Sequence, residues 1–317
     1  MRRFAAFVCA LLLTAFAPAA IAQQPPLTVI RVGGVFNDDM TPVFWGVKSG
    51  MFRREGLDVQ ISNANNGAAM TAAVLAGTFE FGKSSLLAAV NAHLRGLPLA
   101  VVASGSIYDS KAPFTMLCVA TDSTDATGKD FEGKVTGAPS LNDLNQLVIS
   151  AWVDKHGGDP TAVKFVELPN STAPVAIAQH RVEAAILAEP ILTNAVTNKQ
   201  VKVLADAYLS IAPTFAFASY FTSADYAKAH PDIVAKFVKV IYEAGAYANK
   251  HHAETAEMMA EATKIPLSTY EHMVRVDGAT TLNPALFQPV IDAAVKYKLI
   301  PRGFPAREML TNAPGLH

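Results

Sequence analysis

The amino-acid sequence predicts an α/β fold in which two similar lobes each contain a mostly parallel sheet flanked by helices. Strand-like segments alternate with short helical segments, which is typical of such sheets. The alternation restarts near Asp130, which indicates a second unit of the same kind. The helix end, cap and short strand of residues 73–81 also match residues 176–184, which lie 103 positions later. Ligands bind at the carboxyl ends of the strands in open α/β sheets, so a binding site is expected at that edge.

The first predicted lobe begins with a β-rich segment and continues as strands and helices in turn. Pro42 at the start of a helix and Gly50 after its end follow the usual placement of these residues. The predicted strands are 27–36, 57–62, 79–81 and 98–104. The predicted helices are 42–47, 67–76 and one that Lys83, Ser84 and Ser85 open.

The second predicted lobe repeats this order and is followed by a helical segment. Ser140 is a plausible N-cap for a helix over residues 142–155. The other predicted elements of this lobe are strands 134–138, 163–168 and 182–187 and helix 172–180. Pro231 lies near the start of a long amphipathic helix. Further helices are predicted around 254–263, 267–275 and 284–297.

The composition excludes several classes of protein. The 317 residues are 51% hydrophobic and 17% charged, which excludes a disordered chain. The formal net charge of −1 gives no electrostatic argument for binding nucleic acid, and none is expected. Only two cysteines occur, Cys9 and Cys118, so a disulfide framework is excluded.

The N-terminus has the three parts of a secretory signal peptide. Arg2 and Arg3 precede an apolar run over residues 4–16, and Ala20-Ile21-Ala22 forms a small-residue cleavage site. The apolar run is shorter than the roughly 20 residues that span a bilayer. Residues 1–22 are therefore predicted to be a signal peptide cleaved after Ala22, and Cys118 is expected to be buried and inert.

Motifs of catalysis are missing from the sequence. It contains no G-x-S-x-G, Walker, C-x-x-C or H-E-x-x-H pattern. The adjacent His251 and His252 lack the i, i+4 spacing of helical metal ligands, and Cys118 stands in an apolar strand. No catalytic residue, cofactor or metal site is therefore predicted.

Polar loops follow several of the predicted strands. Some of them open helices, where free backbone N–H groups and the helix dipole favour a polar or anionic ligand. Each loop alone is equally well explained as a cap or turn, but five together predict a binding cleft. The loops contain Asn37, Asp38 and Asp39; Asn66 and Gly67; Lys83, Ser84 and Ser85; Ser140, Leu141, Asn142 and Asp143; and Glu189 and Pro190.

Several segments, in order and spacing, resemble the periplasmic substrate-binding proteins of ABC importers. The resemblance is to the SsuA/THI5-like branch, which serves sulfonates, nitrate and thiamine precursors. The matching segments are Gly46-Val47-Lys48-Ser49-Gly50-Met51-Phe52, Glu55-Gly56-Leu57-Asp58-Val59, Leu75-Ala76-Gly77-Thr78-Phe79-Glu80-Phe81-Gly82, Arg95-Gly96-Leu97-Pro98-Leu99, Phe131-Glu132-Gly133-Lys134-Val135, Glu183-Ala184-Ala185, Glu189-Pro190 and Ala229-His230-Pro231-Asp232. Glu80 and Glu183 stand where the family usually has Asp, and His180 where it usually has Gly.

The resemblance implies a type II periplasmic binding protein with a two-strand hinge. Lobe 1 would comprise residues 27–108 and 212–317, lobe 2 residues 112–208, and the hinge strands would lie near 104–113 and 205–217. The protein would be a periplasmic monomer, not an enzyme, that delivers a small organic solute to a membrane permease. Carried over by position, the ligand contacts would be Asn37, Asp38, Asp39, Asn66, Gly67, Lys83, Ser84, Ser85, Ser140, Leu141, Asn142 and Glu189, with Tyr108 as an aromatic wall.

The ligand and two other functions stay open at this point. Lys83 and the helix N-termini would suit a sulfonate, nitrate or carboxylate. Four acids would instead suit the amino groups of a pyrimidine or amino acid: Asp38, Asp39, Asp143 and Glu189. Because acids outnumber bases in the loops, a ligand with a donor end and an apolar body is slightly favoured. The alternatives are an enzyme on the same fold, related to thiamine-pyrimidine synthesis, and a periplasmic solute sensor.

Overall fold

The computed structural model describes residues 26–64 and 66–310. The predicted signal peptide, residues 1–22, lies outside these described residues. Within them, the strands are β1 Thr28–Gly34, β2 Leu57–Asn63, β3 Phe81–Ser85, β4 Leu99–Ser104, β5 Ile107–Asp109, β6 Thr115–Val119, β7 Val135–Ala138, β8 Lys164–Glu167, β9 Ala184–Ala188, β10 Lys202–Ala205, β11 Thr214–Ala216 and β12 Ala218–Ser223. The α-helices are α1 Thr41–Lys48, α2 Met51–Arg54, α3 Gly67–Leu75, α4 Leu86–Leu94, α5 Leu144–Lys155, α6 Ala173–Ala178, α7 Ile191–Thr197, α8 Ala224–Ala229, α9 Pro231–Ala248, α10 His252–Thr263, α11 Leu267–His272 and α12 Gln288–Lys296.

The first sheet has five strands in the order β2-β1-β3-β12-β4. Strand β1 pairs parallel with β2 and β3, while β12 pairs antiparallel with β3 and β4. Helix α9 covers this sheet with its apolar face, and the ring of Phe237 stacks on that of Phe81 with centroids 3.9 Å apart. The Pro at the N1 position of α9 confirms the predicted start of this helix.

The second sheet repeats the same pattern with the order β10-β6-β9-β7-β8. Strand β7 pairs parallel with β8 and β9, while β6 pairs antiparallel with β9 and β10. Helix α5 packs its buried side chains, including Trp152 against Phe131, into the core beneath this sheet. The α/β class with two sheets that combine parallel strands and flanking helices is therefore confirmed.

A separate pair of short strands carries the chain between the two sheets. Strand β5 leads from β4 to β6, and β11 leads from β10 to β12, and the two pair antiparallel with each other. Tyr108 lies opposite Phe215 in this pair, and both side chains are buried. The division into two lobes that move about this pair stays a prediction.

Two local predictions were wrong, and a third was right only in part. Lys83, Ser84 and Ser85 directly precede α4, whose N-cap is Ser85, but they also end β3, where they pair with β12. Ser140 does not cap α5, because the Asp143 side chain accepts a hydrogen bond from the backbone N–H of Gln146. The helix predicted to reach residue 275 ends at His272.

Among the described residues, none of the helices combines the length with the apolar character that crossing a membrane requires.

Candidate functional site

A cavity of about 360 Å³ lies between elements of the first sheet and elements of the second. Ten of the thirteen predicted ligand contacts line it, and whether they bind a ligand stays a prediction. They are Asn37, Asp39, Asn66, Gly67, Lys83, Ser84, Ser85, Ser140, Leu141 and Asn142. The loop after β1, the end of β3 and the starts of α3 and α4 contribute from one side, and the loop after β7 contributes from the other.

A buried ion pair between Lys83 and Asp39 lies at the inner end of the cavity. The Lys83 side chain is 5% exposed and its ammonium contacts Asp39 Oδ2. The same oxygen accepts a hydrogen bond from the Ser106 hydroxyl at 3.4 Å, and the Asn37 amide, with its nitrogen towards Asp39, donates to Oδ1. Both carboxylate oxygens of Asp39 are therefore occupied, whereas an ammonium carries three N–H groups and Lys83 keeps donors for a ligand.

Three helices begin at the cavity: α3, α4 and α5. Asn66 caps α3 by accepting from the Ala69 N–H at 2.9 Å, which leaves the first N–H groups of that helix free to face the cavity. Gly67 is required here because a Cβ at this position would overlap Ser84 Oγ. The absence of a side chain lets the start of α3 approach the end of β3. Such N-termini favour anionic groups.

Hydroxyl and amide groups supply most of the remaining polar surface. Ser140 is 9% exposed, and within the described part of the chain its Oγ has no hydrogen-bond partner. A buried hydroxyl without a partner is uncommon, so this group is free to bond a ligand. Six asparagines also line the cavity: Asn37, Asn66, Asn91, Asn142, Asn145 and Asn170.

One hydrogen bond joins the two sides of the cavity directly. The Asn91 side-chain amide on α4 donates to the backbone carbonyl of Asn142 at 3.1 Å. Asn142 has a positive φ of 58°, a left-handed conformation that asparagine tolerates better than most residues. Its N–H donates to Gln146 Oε1 at 2.7 Å, which holds the loop in this shape.

Asp143 lines the cavity beside the second sheet, and its carboxylate is already hydrogen-bonded within the protein. Its carboxylate accepts from the N–H groups of Gln146 at 2.9 Å and Ser140 at 3.3 Å. Burial raises the pKa of this carboxyl to about 7 despite these bonds, and the nearby charge of Glu167 raises it further. Asp143 is therefore a helix cap with a reduced tendency to carry charge.

Asp38 does not line the cavity, contrary to its predicted place among the ligand contacts. It is 1% exposed, and its Oδ1 lies 2.8 Å from the Arg275 guanidinium in a buried ion pair. Its Oδ2 accepts from the Val276 N–H at 2.7 Å. These bonds attach the segment after α11 to the first sheet, and they leave Asp38 no oxygen to offer a solute.

Glu189 and Tyr108 also lie outside the cavity lining. The Glu189 carboxylate is buried and accepts from the N–H and the hydroxyl of Thr193 at 3.0 and 2.7 Å. Burial raises its pKa to about 7, and the charge of Asp38 raises it as well. The Tyr108 hydroxyl donates to Asp206 at 2.6 Å, and burial raises its pKa. Both side chains are committed to contacts within the protein.

The cavity continues as a groove between α3 and α4 that the sequence interpretation missed. Ala68, Ala72 and Leu75 line it from α3, and Ala88, Ala92 and Arg95 line it from α4 and its C-cap. Both sets follow the i, i+4, i+7 spacing of one helix face, which is the sequence signal that would have found them. Asn91, Asn170 and Phe217 are further lining residues outside the predicted set.

The arrangement suits capture of a solute. The two carboxylates that line the cavity, Asp39 and Asp143, already accept hydrogen bonds from the protein. The residues described as lining the cavity include neither histidine nor cysteine. The site can thus surround a small polar or anionic molecule from two sides.

A comparison with curated protein sequences finds no match. Solved structures share the fold at low identity. The aliphatic sulphonate binding protein SsuA from Escherichia coli is 17% identical with a TM-score of 0.70, over 89% of this chain and 91% of that chain. SsuA from Xanthomonas axonopodis pv. citri, bound to MOPS, is 16% identical with a TM-score of 0.73, over 90% and 98%. The nitrate-binding protein NrtA from Synechocystis PCC 6803 is 11% identical with a TM-score of 0.73, over 91% and 86%.

These likenesses establish the periplasmic binding protein fold, which confirms the fold that the sequence resemblance implied. A family model described as NMT1/THI5 like matches residues 37–255, well over half of the sequence. The chain belongs to the NMT1/THI5-like family.

Proposed function

We propose that this protein is the solute-binding component of an ABC import system. It captures a small anionic organic solute between its two sheets and delivers it to a membrane permease. Its family membership supports this role, as do the sulphonate- and nitrate-binding proteins that share its fold. The predicted signal peptide, with cleavage after Ala22, would place it in the periplasm as a monomer.

The observation that carries the proposal is the set of donors that faces one cavity from both sheets. Lys83 and the start of α3 belong to the first sheet's side, and the Ser140 hydroxyl belongs to the second. A solute that bonds to both sides would hold them together, which is how a two-lobed protein couples binding to closure.

The same geometry favours an anion over the amine-bearing solute that the acid count in the loops suggested. Asp38 is paired with Arg275, and the carboxylate of Glu189 is bonded to Thr193. Asp143 caps α5. The acids that would have received amino groups are thus occupied, while Lys83 retains N–H donors.

No feature of the cavity favours an enzyme over a binding protein. A sensor would use the same cavity and differ only in its membrane partner. A pull-down with the solute-loaded protein distinguishes the two functions. Recovery of a permease would indicate import, and recovery of a receptor would indicate sensing.

Isothermal titration and thermal shift on the mature chain from Gln23 test the proposal. The panel contains alkyl sulfonates, carboxylates and nitrate, with aminopyrimidines and alkylamines of matched size. A ligand at 100 times its Kd should stabilise the protein by about 2.7 kcal/mol. We expect anions to bind and the amines and aminopyrimidines not to. Binding by amines or aminopyrimidines alone, or by no member of the panel, would overturn the proposal.

The double variant Lys83→Met with Asp39→Asn removes both charges of the buried pair, so neither is left unpaired. We expect it to fold and to lose anion affinity at least tenfold. Lys228→Met is the matched control because Lys228 is exposed on α8 and does not line the cavity. Equal affinity of the double variant and the control would place the solute elsewhere.

A further inference from the structure

We propose, on the basis of the function above, that the solute is a dianion with its two acidic groups at opposite ends of a short hydrocarbon chain. One acidic group would lie at Lys83 and the helix N-termini. The chain would occupy the groove between α3 and α4, and the second acidic group would bind Arg95. Arg95 would then be the residue that selects diacids over monoacids.

The groove has the shape and surface for a hydrocarbon chain. Most of its wall consists of the small side chains of Ala68, Ala72, Ala88 and Ala92, with Leu75 and Leu97 towards its outer end. Thr71 on α3 and Asn91 on α4 are the polar members of these two helices that line the cavity. Residues seven apart on a helix are separated by about 10 Å along its axis, so the groove is about 10 Å long. The alanine methyl groups leave room that larger residues would fill, and they offer a chain only apolar contact.

The inner end of the groove is a built polar site. The Ser140 hydroxyl is nine-tenths buried, lines the cavity and has no hydrogen-bond partner within the described residues. Lys83 lines the same cavity from the first sheet, with donors to spare. A carboxylate or sulfonate there would satisfy the hydroxyl and the ammonium at once, which makes this end the place for the first acidic group.

Arg95 supplies a second cation at the outer end. It follows Leu94, the last residue of α4, so that it lies seven positions beyond Ala88, which marks the inner end of the groove. Arg95 lines the cavity, and because side chains on a helix lean towards its N-terminus, the guanidinium can reach back along the groove. Arg95 is exposed, and no carboxylate among the described residues forms an ion pair with its guanidinium. A guanidinium in this state can bind an acidic group in a bidentate manner.

The charges of the two ends differ in a way that favours a diacid. The charge of Lys83 is offset by Asp39, so the inner end accepts an anion mainly through hydrogen bonds. The charge of Arg95 has no such offset within the described chain. A monoacid that bonds at the inner end leaves Arg95 without a partner, whereas a diacid of matching length engages both ends.

Titration of linear α,ω-dicarboxylates from four to ten carbons, each beside the monocarboxylate of equal length, tests this inference. Roughly six to nine carbons span the distance from the inner end to a guanidinium that reaches back along the groove. We expect diacids in that range to bind at least tenfold more tightly than their monoacids, with a maximum at one intermediate length.

Arg95→Leu should reduce the ratio of diacid to monoacid affinity to within about twofold of one. Arg181→Leu is the matched control, because Arg181 is exposed near the second sheet and does not line the cavity. Ala72→Phe should lower the affinity of long diacids at least fivefold more than that of the shortest acids. Thermal unfolding of each variant establishes that it folds.

Equal binding of mono- and diacids in the wild type would overturn the inference while the proposed anion-binding function stands. An advantage that persists in Arg95→Leu would overturn the role of Arg95. Absence of binding by every acid would overturn both this inference and the proposed function.

Discussion

The two sheets repeat one another at an interval of 103 residues down to single side chains. Strands β3 and β9, Phe81–Ser85 and Ala184–Ala188, are related by that interval. The caps before them, Gly77 and His180, both have positive φ values, 72° and 52°. The ion pair of Arg31 with Glu80 recurs as that of Lys134 with Glu183. The match of two short segments in the sequence therefore extends to the whole strand arrangement.

The repeat ends where the cavity begins. Lys83, Ser84 and Ser85 line the cavity at the end of β3, whereas the equivalent residues at the end of β9 are Ile186, Leu187 and Ala188. Two sheets with one strand order thus differ in the side chains at the strand ends. The strands and the caps before them are alike in the two sheets. The side chains that would contact a solute lie at positions where the two sheets have different residues.

The largest effect is expected from a pair of positions where the repeat is broken, Asp38 and Leu141. Asp38→Ala should lower the free energy of unfolding by about 3–5 kcal/mol, because it leaves the buried Arg275 without its carboxylate. Leu141→Ala, at the equivalent position on the exposed loop, should change it by less than about 0.5 kcal/mol. Urea denaturation measures both. Similar losses in the two variants would contradict the asymmetry.

Replacement of both Asp38 and Arg275 distinguishes the effect of an unpaired buried charge on stability from the effect of lost packing. In Asp38→Asn with Arg275→Met no unpaired charge is buried, so we expect the double variant to be more stable than Asp38→Ala. A double variant at least as unstable as Asp38→Ala would show that the ion pair is not the source of the loss.

The second effect concerns Glu189, which directly follows β9. Its pKa is raised in the folded state to about 7, so the folded protein binds a proton that the unfolded chain releases near pH 4.5. Stability from this group is thus lost as pH rises from about 4.5 to about 7. Glu189→Gln should therefore be more stable than the wild type at pH 8 by about 3 kcal/mol, and the two should converge at about pH 4. Thermal or urea unfolding at both pH values measures this. Equal stability at pH 8 would contradict the prediction.

A smaller effect is expected from Asp143, whose pKa is also raised to about 7. Above that pH its charge opposes an anion in the cavity, and below it the group is neutral. Anion affinity should therefore rise by about three- to tenfold as pH falls from 8 to 6. Asparagine is an equally good helix cap, so Asp143→Asn should fold and lose this pH dependence. Titration calorimetry at the two pH values compares wild type and variant, and an unchanged slope in the variant would assign the effect to another group.

The smallest effect is expected from the repeated ion pairs. Arg31 and Lys134 are about half exposed, so each pair contributes little and is screened by salt. Arg31→Met and Lys134→Met should shift the urea midpoint slightly, to similar extents, and less at 0.5 M salt than at low salt. A large shift in one variant alone would show that the two pairs are not equivalent.

Local patterns in the sequence predicted most elements of the fold, and contacts between distant residues account for the misses. Periodicity and caps located the strands and helices in order. That Lys83, Ser84 and Ser85 belong to a strand was missed because the strand that pairs with them, β12, lies more than 130 residues away.

In the candidate site too, local patterns predicted most residues, and contacts between distant residues account for errors. Loops after strands indicated ten of the lining residues, because the ends of these strands meet at one edge of a sheet. Asp38 is removed from the site by Arg275, which follows it by 237 residues and has no local signal. Arg95 and the alanines of the groove were overlooked because the site was predicted from polar loops after strands, and none of these residues lies in such a loop.

The hydrogen bond from Asn91 to the Asn142 carbonyl has a consequence for the residence time of a solute. Any separation of the two sides of the cavity must first break this bond, whatever the solute contributes. A neutral hydrogen bond contributes about 1 kcal/mol, which corresponds to about a fivefold change in an equilibrium between closed and open forms. Under the proposed function, the rate at which the solute leaves would thus depend in part on the Asn91 side chain, which bonds to the protein itself. Delivery of the solute to a permease would require the hydrogen bond from Asn91 to Asn142 to break.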